Sequence, residues 1–323
     1  MKGETQRFYG RGKLLITGEY VVLDGAEALA VPTQLGQWLR YREIPAMKGL
    51  LIWIASNHDH SVWKQMSFDL HDFRCLEGAD AVGLKLANLL YCARKLNPDF
   101  LAEEEHSIVA ETQLEFPRDW GLGSSSTLVF LVACWARVDA QQLLQLSFGG
   151  SGYDVAAAAE NGPFIFSRSQ QITQTRPSVF RPDYLPQLYL AYLGKKQDSA
   201  QAIQHYREKT SSLDVIVEEI STLTNDFLTA PTLTDLDKVI QEHEQFIGSL
   251  IKTQPIQQTY FSDFEGKVKS LGAWGGDYIL LTYTHGLPSL KNYLQQKGIT
   301  QVFGWNDLIY DNPEMEVVFD VNE

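Results

Sequence analysis

The feature of the sequence that most restricts its fold is a loop of glycines and hydroxyl-bearing residues that opens directly onto an apolar segment. The loop reads Trp120-Gly121-Leu122-Gly123-Ser124-Ser125-Ser126-Thr127, and the uninterrupted apolar run 128–136 follows it. This pattern predicts a phosphate-binding loop before a buried helix, because glycines let an anion approach the backbone and the first N–H groups of a helix carry about half a positive charge. A glycine turn whose serine caps a core helix fits the same residues, so the loop alone leaves both interpretations open.

The length of the chain predicts more than one hydrophobic core. At 323 residues it exceeds what a single ordinary core supports, so we expect two domains. The polar, proline-bearing stretch 168–186 is the best connection between them, which predicts an N-terminal domain over residues 1–183 and a C-terminal domain over residues 184–323. Hydrophobic residues make up 44% of the chain and charged residues 21%, values typical of globular proteins.

Hydrophobic periodicity predicts an α+β architecture. In the first half we expect a helix at residues 79–95 and strands at residues 13–16, 20–23, 50–55, 62–68, 107–116 and 163–167. In the second half we expect strands at residues 188–193, 278–283, 302–303 and 316–319, and helices at residues 199–209, 212–228, 234–252 and 257–271. Strands with several helices between them indicate layered sheets.

The charge and the cysteines restrict the partners and the compartment. Acidic residues outnumber basic residues 40 to 27, which gives a net charge of −13 and argues against nucleic acid or a membrane as a partner. A small anionic ligand is still compatible with this charge where lysines and helix N-termini converge. The cysteines Cys75, Cys92 and Cys134 are odd in number and far apart, and the longest apolar run is too short for a membrane span. We therefore expect a cytoplasmic protein.

Three more glycine-rich segments and one lysine accompany the first loop. They are Gly12-Lys13-Leu14-Leu15-Ile16-Thr17-Gly18-Glu19-Tyr20, Gly149-Gly150-Ser151-Gly152-Tyr153-Asp154 and Gly272-Ala273-Trp274-Gly275-Gly276-Asp277. Neither G-x-x-x-x-G-K-[ST] nor G-x-G-x-x-G occurs in the sequence, so the fingerprints of P-loop and Rossmann sites are missing. A phosphate site in this chain is of another kind.

In order and spacing these segments resemble the motifs of the GHMP kinases, which phosphorylate galactose, homoserine, mevalonate and phosphomevalonate. Residues 12–25 match P-G-K-x-x-[LI]-x-G-E-[HY]-x-V-x-x-G without its proline, and residues 121–126 match G-L-G-S-S. Residues 272–276 resemble the third motif, and residues 151–154 look like the S-G-x-D element of the mevalonate-kinase branch. The resemblance implies a two-domain α+β GHMP kinase fold, with a ribosomal S5 domain 2-like N-terminal domain and a ferredoxin-like C-terminal domain.

The resemblance also implies how the glycine loops bind ATP and the acceptor. The backbone amides that would hold the β- and γ-phosphates belong to Gly121, Leu122, Gly123, Ser124, Ser125 and Ser126. The hydroxyl of Ser125 would reach Mg²⁺. Gly275 and Gly276 of the third motif would close over the acceptor.

Two residues take catalytic roles by the same resemblance. Asp154 would accept the proton of the attacking hydroxyl, and the positive charge of Lys13 would pair with that carboxylate and lower the pKa of the hydroxyl. Glu19 and Tyr20 would border the acceptor. Structural alternatives exist for each motif: Asp154 as a helix cap, Lys13 as a solvated charge at a strand end, Ser125 as a cap, and residues 272–276 as a helix C-terminus with a turn.

Three departures from the family pattern stand out. Arg11 occupies the position of the motif proline, and Trp274 interrupts the small residues of the third motif, where a buried filler is the favoured role. Between Trp120 and Asp154 the only carboxylate is Asp139, although mevalonate kinases typically add a glutamate to the Mg²⁺ site there. Either Asp139 substitutes for it, or water and phosphate oxygens complete the metal site.

The resemblance thus predicts an ATP- and Mg²⁺-dependent small-molecule kinase, a transferase of the mevalonate pathway of isoprenoid biosynthesis. Mevalonate is the first choice of acceptor and phosphomevalonate the second. Tyr20 favours phosphomevalonate, because many mevalonate kinases have a histidine at this position. An anionic acceptor needs cations, for which Lys13, Arg11, Lys195 and Lys196 are candidates. The alternative is a non-catalytic ATP-binding regulator, and a monomer and a homodimer both remain open.

Overall fold

The first part of the chain builds one large sheet. The computed structural model describes residues 5–45, 48–103, 105–169, 172–194, 204, 206–207, 213–272, 274, 276–312 and 314. Its first sheet has 8 strands in the order β5-β4-β3-β6-β2-β7-β8, with β1 paired to β2. The strands are β1 Gln6–Leu15, β2 Ala28–Ile44, β3 Leu50–Ser56, β4 Val62–Asp69, β5 Cys75–Glu77, β6 Ser107–Leu114, β7 Phe164–Ser169 and β8 Ile172–Pro177. Only the β3–β6 pair is parallel among these described strands.

Helices cover one face of this sheet. They are α1 Ala81–Leu96, α2 Ser124–Ala136, α3 Ala140–Ser147 and α4 Tyr153–Ala157. The helix α2 is apolar on all sides because it lies inside, where Val129 and Leu131 share a core with Trp53 and Phe68. Its burial gives the glycine loop that precedes it a rigid support.

The second sheet is smaller and antiparallel. Its order is β10-β11-β9-β12, with β9 Leu188–Tyr192, β10 Val268–Leu271, β11 Tyr278–Thr282 and β12 Gln301–Gly304. The accompanying helices are α5 Leu213–Thr229, α6 Leu233–Ile251, α7 Ile256–Tyr260, α8 Leu287–Gln296 and α9 Trp305–Leu308. In the part of the chain that the structure describes, no helix has both the length and the apolar character needed to cross a bilayer.

The two sheets share a hydrophobic core. Leu14 of β1 and Ile16, which follows that strand, pack in one cluster with Leu188, Leu190 and Leu280 of the second sheet. The architecture is therefore α+β, as the periodicity predicts. The expected domain boundary at residue 183 falls between β8 and β9, and the division into two domains remains a prediction.

Several local predictions differ from the structure. Residues 20–23 are not a strand but belong to a 3-10 turn, Val21–Asp24, because Gly18 and Tyr20 take positive φ values of 86° and 66° that turn the chain. The helix expected at 257–271 ends at Tyr260, because the last residues of that stretch pair with β11 instead. Within the expected connection 168–186, β8 extends the first sheet. The strand 316–319 and most of the helix 199–209 lie outside the described residues.

Candidate active site

A bulge in β1 directs Lys13 to the glycine loop. The register between β1 and β2 shifts between Arg11 and Lys13, and such a shift re-aims the following side chain. A side chain at Gly12 would approach the Leu122 carbonyl oxygen to 3.0 Å, so glycine lets the loop lie directly on the strand. The backbone N–H of Lys13 donates to that same oxygen over 2.9 Å. The Lys13 Nζ then donates to the Gly121 carbonyl oxygen over 3.1 Å.

The loop presents its backbone N–H groups at the start of α2. Gly123, with φ of 93°, occupies the N-cap position, and no side chain caps this helix. The hydroxyl of Ser126 turns inward and donates to the Gly123 carbonyl oxygen over 2.8 Å, whereas Ser125 is exposed. The serine-cap interpretation is therefore wrong. The N–H groups of the first turn stay available to an anion.

The S-G-Y-D segment brings a carboxylate to Lys13. Gly152, with φ of 95°, is the N-cap of α4, so Asp154 is not a cap but the second helical residue. The Gln141 amide donates to the Gly152 carbonyl oxygen over 2.9 Å and holds this turn. The Asp154 carboxylate accepts the Val155 N–H over 3.0 Å and stays partly exposed.

Opposing effects determine the charge of Lys13. Burial lowers the pKa of this ammonium, but Tyr153, Asp154 and Asp277 raise it more, so the pKa lies above its usual value. Lys13 is therefore a cation at neutral pH, with its Nζ 5.7 Å from the centre of the Tyr153 ring. The structure thus brings together Lys13, the glycine loop and Asp154, while the catalytic roles of these residues remain predictions.

Glu19 lies in the protein core and not at an open acceptor surface. It is 1% exposed, and its Oε1 accepts a hydrogen bond of 2.6 Å from Lys269 of β10, which is fully buried. Its Oε2 lies 3.4 Å from the Nε2 of the buried His243 of α6. That nitrogen accepts the Gly18 N–H over 3.2 Å, and burial and Lys269 hold the pKa of His243 well below its usual value. Glu19 therefore attaches the first motif to the C-terminal sheet.

A second buried carboxyl group, Glu244 of α6, completes this cluster. Its two oxygens accept the Ser270 N–H over 3.0 Å and the Ser270 hydroxyl over 3.2 Å. Burial raises the pKa of Glu244 to about 8, because Lys269 only partly compensates the desolvation. Glu244 is thus protonated at neutral pH.

The raised pKa of Glu244 predicts a pH-dependent stability. An unfolded glutamate titrates near 4.5, so the stabilisation from this group is complete below that pH and is lost as the pH rises through about 8. Glu244→Gln keeps an acceptor for the Ser270 N–H and abolishes the titration. Its free energy of unfolding, measured in urea, should therefore rise relative to the wild type between about pH 5 and 8. The exposed Glu242 on the same helix provides the control Glu242→Gln, and the same pH trend in both variants would contradict the prediction.

Tyr20 joins the first motif to the third. Its hydroxyl accepts the backbone N–H of Trp274 over 3.1 Å, and burial raises the pKa of Tyr20 to about 12. Trp274 is 5% exposed and packs with Tyr20, which confirms its expected role as a buried filler. Gly276 is buried as well, and Gly275 lies outside the described residues. No helix precedes Gly272, so the helix C-terminus interpretation of this motif is wrong.

The charged residues expected near a metal or an anionic acceptor have other positions. Asp139 is the N-cap of α3 and accepts the Gln142 N–H over 2.7 Å, so the helix uses this carboxylate. Arg11 stacks on the Tyr310 ring with its guanidinium carbon 3.1 Å from the ring centre. Lys195 and Lys196 lie outside the described residues. In the described ranges no group of three or more histidine, cysteine, aspartate or glutamate residues could hold a metal ion.

A cavity of about 650 Å³ opens beside the start of α2. Its lining includes Ser124 and Ser125, together with Trp53, Trp63 and Arg118, whose guanidinium carbon lies 3.6 Å from the Trp63 ring centre. Sequence reasoning does not find these wall residues, because they lie on separate strands and loops and share no motif. The cavity combines apolar walls with the N-terminal turn of a helix, whose first N–H groups can interact with an anion.

Sequence reasoning also assigned no role to Asp277, the last residue of the third motif. A side chain on Gly121 would come within 2.9 Å of the Asp277 carboxyl carbon, so the carboxylate lies directly against the glycine loop before α2. Its position after two glycines was the available signal, since that spacing keeps it next to the motif.

Comparisons with known proteins identify the fold. No protein-family model matches the sequence, and no curated protein matches it. The mevalonate kinase of Methanococcus jannaschii aligns with a TM-score of 0.68 at 15% identity over 95% of this chain and 98% of that one. The phosphomevalonate kinase of Streptococcus pneumoniae aligns with a TM-score of 0.67 at 16% identity over 93% of this chain and 98% of that one. The galactokinase of Lactococcus lactis aligns with a TM-score of 0.67 at 12% identity over 95% of this chain and 93% of that one.

These matches extend over almost the full length of both partners, and their low identity limits the conclusion to architecture. The chain therefore has the fold of mevalonate, phosphomevalonate and galactose kinases, the GHMP kinase architecture that its four glycine motifs predict.

Proposed function

We propose that this protein is an ATP-dependent kinase that phosphorylates an oxygen of a small metabolite. The observation that carries the proposal is the convergence of Lys13, the loop 121–126 and Asp154 from three distant segments. A cation, a set of free backbone N–H groups and a carboxylate are the parts that phosphoryl transfer needs, because positioning and charge neutralisation provide most of its catalysis.

The residues beside α2 fit ATP. The first-turn N–H groups would bind the β- and γ-phosphates, and the partly exposed Trp63 ring in the cavity wall would hold the adenine. The exposed Ser125 hydroxyl fits a Mg²⁺ ion that phosphate oxygens and water hold in the remaining positions. Such an ion would neutralise phosphate charge during the transfer.

A variant of the cavity wall tests the nucleotide site. Trp63→Ala removes an aromatic face and the stacking partner of Arg118, so we expect the Kd of ATP to rise about tenfold, the size of one lost base stack. Calorimetric titration measures the Kd. Tyr91→Ala is the matched control, because Tyr91 of α1 is exposed and does not line the cavity. An unchanged Kd in Trp63→Ala would place the nucleotide elsewhere.

Lys13 and Asp154 would carry the transfer step. The Asp154 carboxylate accepts the proton of the acceptor hydroxyl as its oxygen attacks the γ-phosphorus. The Lys13 ammonium stabilises the negative charge that develops on that oxygen and on the phosphoryl group. Its hydrogen bond to the Gly121 carbonyl oxygen keeps the cation at the phosphate loop.

For the acceptor we propose mevalonate, with phosphomevalonate as the second candidate. The sequence motifs and two of the matched structures support this choice. Tyr20 does not distinguish the two acceptors, because its hydroxyl is engaged by the Trp274 backbone. Arg168, which donates to the Gly150 carbonyl oxygen over 2.7 Å, is a cation close to the S-G-Y-D segment and could serve an anionic acceptor.

A coupled ADP-release assay decides the acceptor. The purified protein receives ATP, Mg²⁺ and one of mevalonate, phosphomevalonate, homoserine or galactose, and mass spectrometry identifies the phosphorylated product. We expect the highest kcat/KM with mevalonate. ATP binding without turnover of any acceptor would instead support a non-catalytic regulator. One observation favours that alternative: Asp139 caps α3, so its carboxylate is not free to bind Mg²⁺.

A further inference from the structure

The third glycine motif places a carboxylate where the site is built for an anion. Asp277 has a φ of 50°, in the left-handed region that glycine, asparagine and aspartate tolerate best. Its carboxylate lies against Gly121, and its backbone oxygen accepts the N–H of Leu193, the residue after β9, over 2.8 Å. Asp277 is thus held between the end of β9 and the loop before α2.

A carboxylate at this place is electrostatically costly beside a triphosphate. Glycine or asparagine would satisfy the backbone conformation without the negative charge, so the conformation alone does not explain an aspartate. The cost is offset where a cation lies between the two anionic groups. Lys13 is that cation, because its Nζ binds the carbonyl oxygen of the same Gly121 that Asp277 touches.

Three groups from different elements face the Lys13 ammonium. They are Tyr153 and Asp154 at the start of α4 and Asp277 before β11, and all three raise the pKa of Lys13 against the effect of burial. Two carboxylates therefore act on one ammonium, one from the S-G-Y-D segment and one from the third motif. During the proposed reaction Asp154 takes up a proton and loses its charge, whereas Asp277 remains an anion.

We propose that Asp277 is a positioning residue whose carboxylate holds the Lys13 ammonium against the phosphate-binding loop throughout the reaction. The inference rests on the proposed function, in which Lys13 stabilises the transferred group. It gives the third motif a chemical task in addition to closing over the acceptor. The C-terminal sheet then contributes directly to the charge of the site.

Charge-removing variants with an unchanged backbone test this proposal. Asp277→Asn and Asp277→Gly both tolerate the positive φ, and competitive acetylation of the ligand-free protein, followed by mass spectrometry, measures the pKa of Lys13. We expect that pKa to fall by about one unit in both variants. Asp119→Asn is the matched control, since it removes an exposed carboxylate two residues before Gly121 on the same loop. In the kinase assay Asp277→Asn should lower kcat about tenfold without raising the KM of ATP.

The labelling experiment is independent of turnover. If no acceptor is phosphorylated, the proposed function fails, while a lowered Lys13 pKa would still support the contact with Asp277. An unchanged Lys13 pKa in folded Asp277→Asn and Asp277→Gly would overturn the inference, even in an active kinase. Lost activity with a raised KM of ATP and an unchanged Lys13 pKa would assign Asp277 a purely structural role.

Discussion

Asp154→Asn is expected to lower kcat by about 10²–10⁴-fold, the usual contribution of a positioned general base. The amide keeps an acceptor for the Val155 N–H, so the turn of α4 is retained, but it cannot take the proton of the acceptor hydroxyl. The affinity for ATP should stay nearly constant, because in the proposed site the loop 121–126, and not Asp154, binds the phosphates. Coupled ADP release gives kcat, and calorimetric titration gives the Kd of ATP.

A second carboxylate of the same region serves as the control. Asp139→Asn replaces a helix cap that lies outside the proposed reaction, and asparagine is also a good N-cap, so this variant should keep the wild-type kcat. Equal activity of Asp154→Asn and wild type would refute Asp154 as the base. A Kd of ATP that rises in parallel with the loss of kcat would indicate damage to the phosphate loop instead.

Lys269→Met is expected to cause the largest loss of stability, about 3–5 kcal/mol in the free energy of unfolding. Lys269 is fully buried and its Nζ lies 2.6 Å from Glu19 Oε1, so its removal leaves a carboxylate in the core without its cation. Chemical denaturation at neutral pH measures the effect. Lys238→Met, which breaks an exposed ion pair with Asp235 on α6, should leave the stability unchanged within error.

The double variant separates the ion pair from simple packing. In Lys269→Met with Glu19→Gln no unpaired charge remains, so a large part of the lost stability should return. Additive effects of the two substitutions would show that they act independently and would contradict the coupling. The pair crosses from the first motif to β10, and its loss should also loosen the active site.

Local sequence patterns predicted the parts of the site that depend on neighbouring residues. The glycines at positions 121 and 123 and the apolar run after them specify a turn and a buried helix, and the structure has both. The hairpin of β3 and β4 and the long helices α1, α5 and α6 were also predictable from periodicity, to within a few residues at their ends. The end of the helix α7 at Tyr260 was not predictable, because the pairing of β10 with β11 overrides the helical spacing of the residues that follow.

The partners of charged residues could not be read from the sequence. Glu19 matched an acceptor-binding motif, yet the path of the chain places it in the core beside Lys269 and His243. Asp277 had no assigned role, and it lies against Gly121. The cavity residues Trp63 and Arg118 could not be predicted either, because they come together only in the folded chain.

The sequence by itself thus determined the α+β class and the four glycine motifs, and it predicted a phosphate-binding helix start with a lysine and an aspartate for phosphoryl transfer. Only the tertiary structure decided which carboxylate meets which cation, which motif residues are buried, and which residues line the cavity beside α2. The physical reason is that backbone conformation at a glycine or a helix start depends on a few adjacent residues. Coulombic and packing contacts depend on distances in space, which separate elements of the chain set together only on folding.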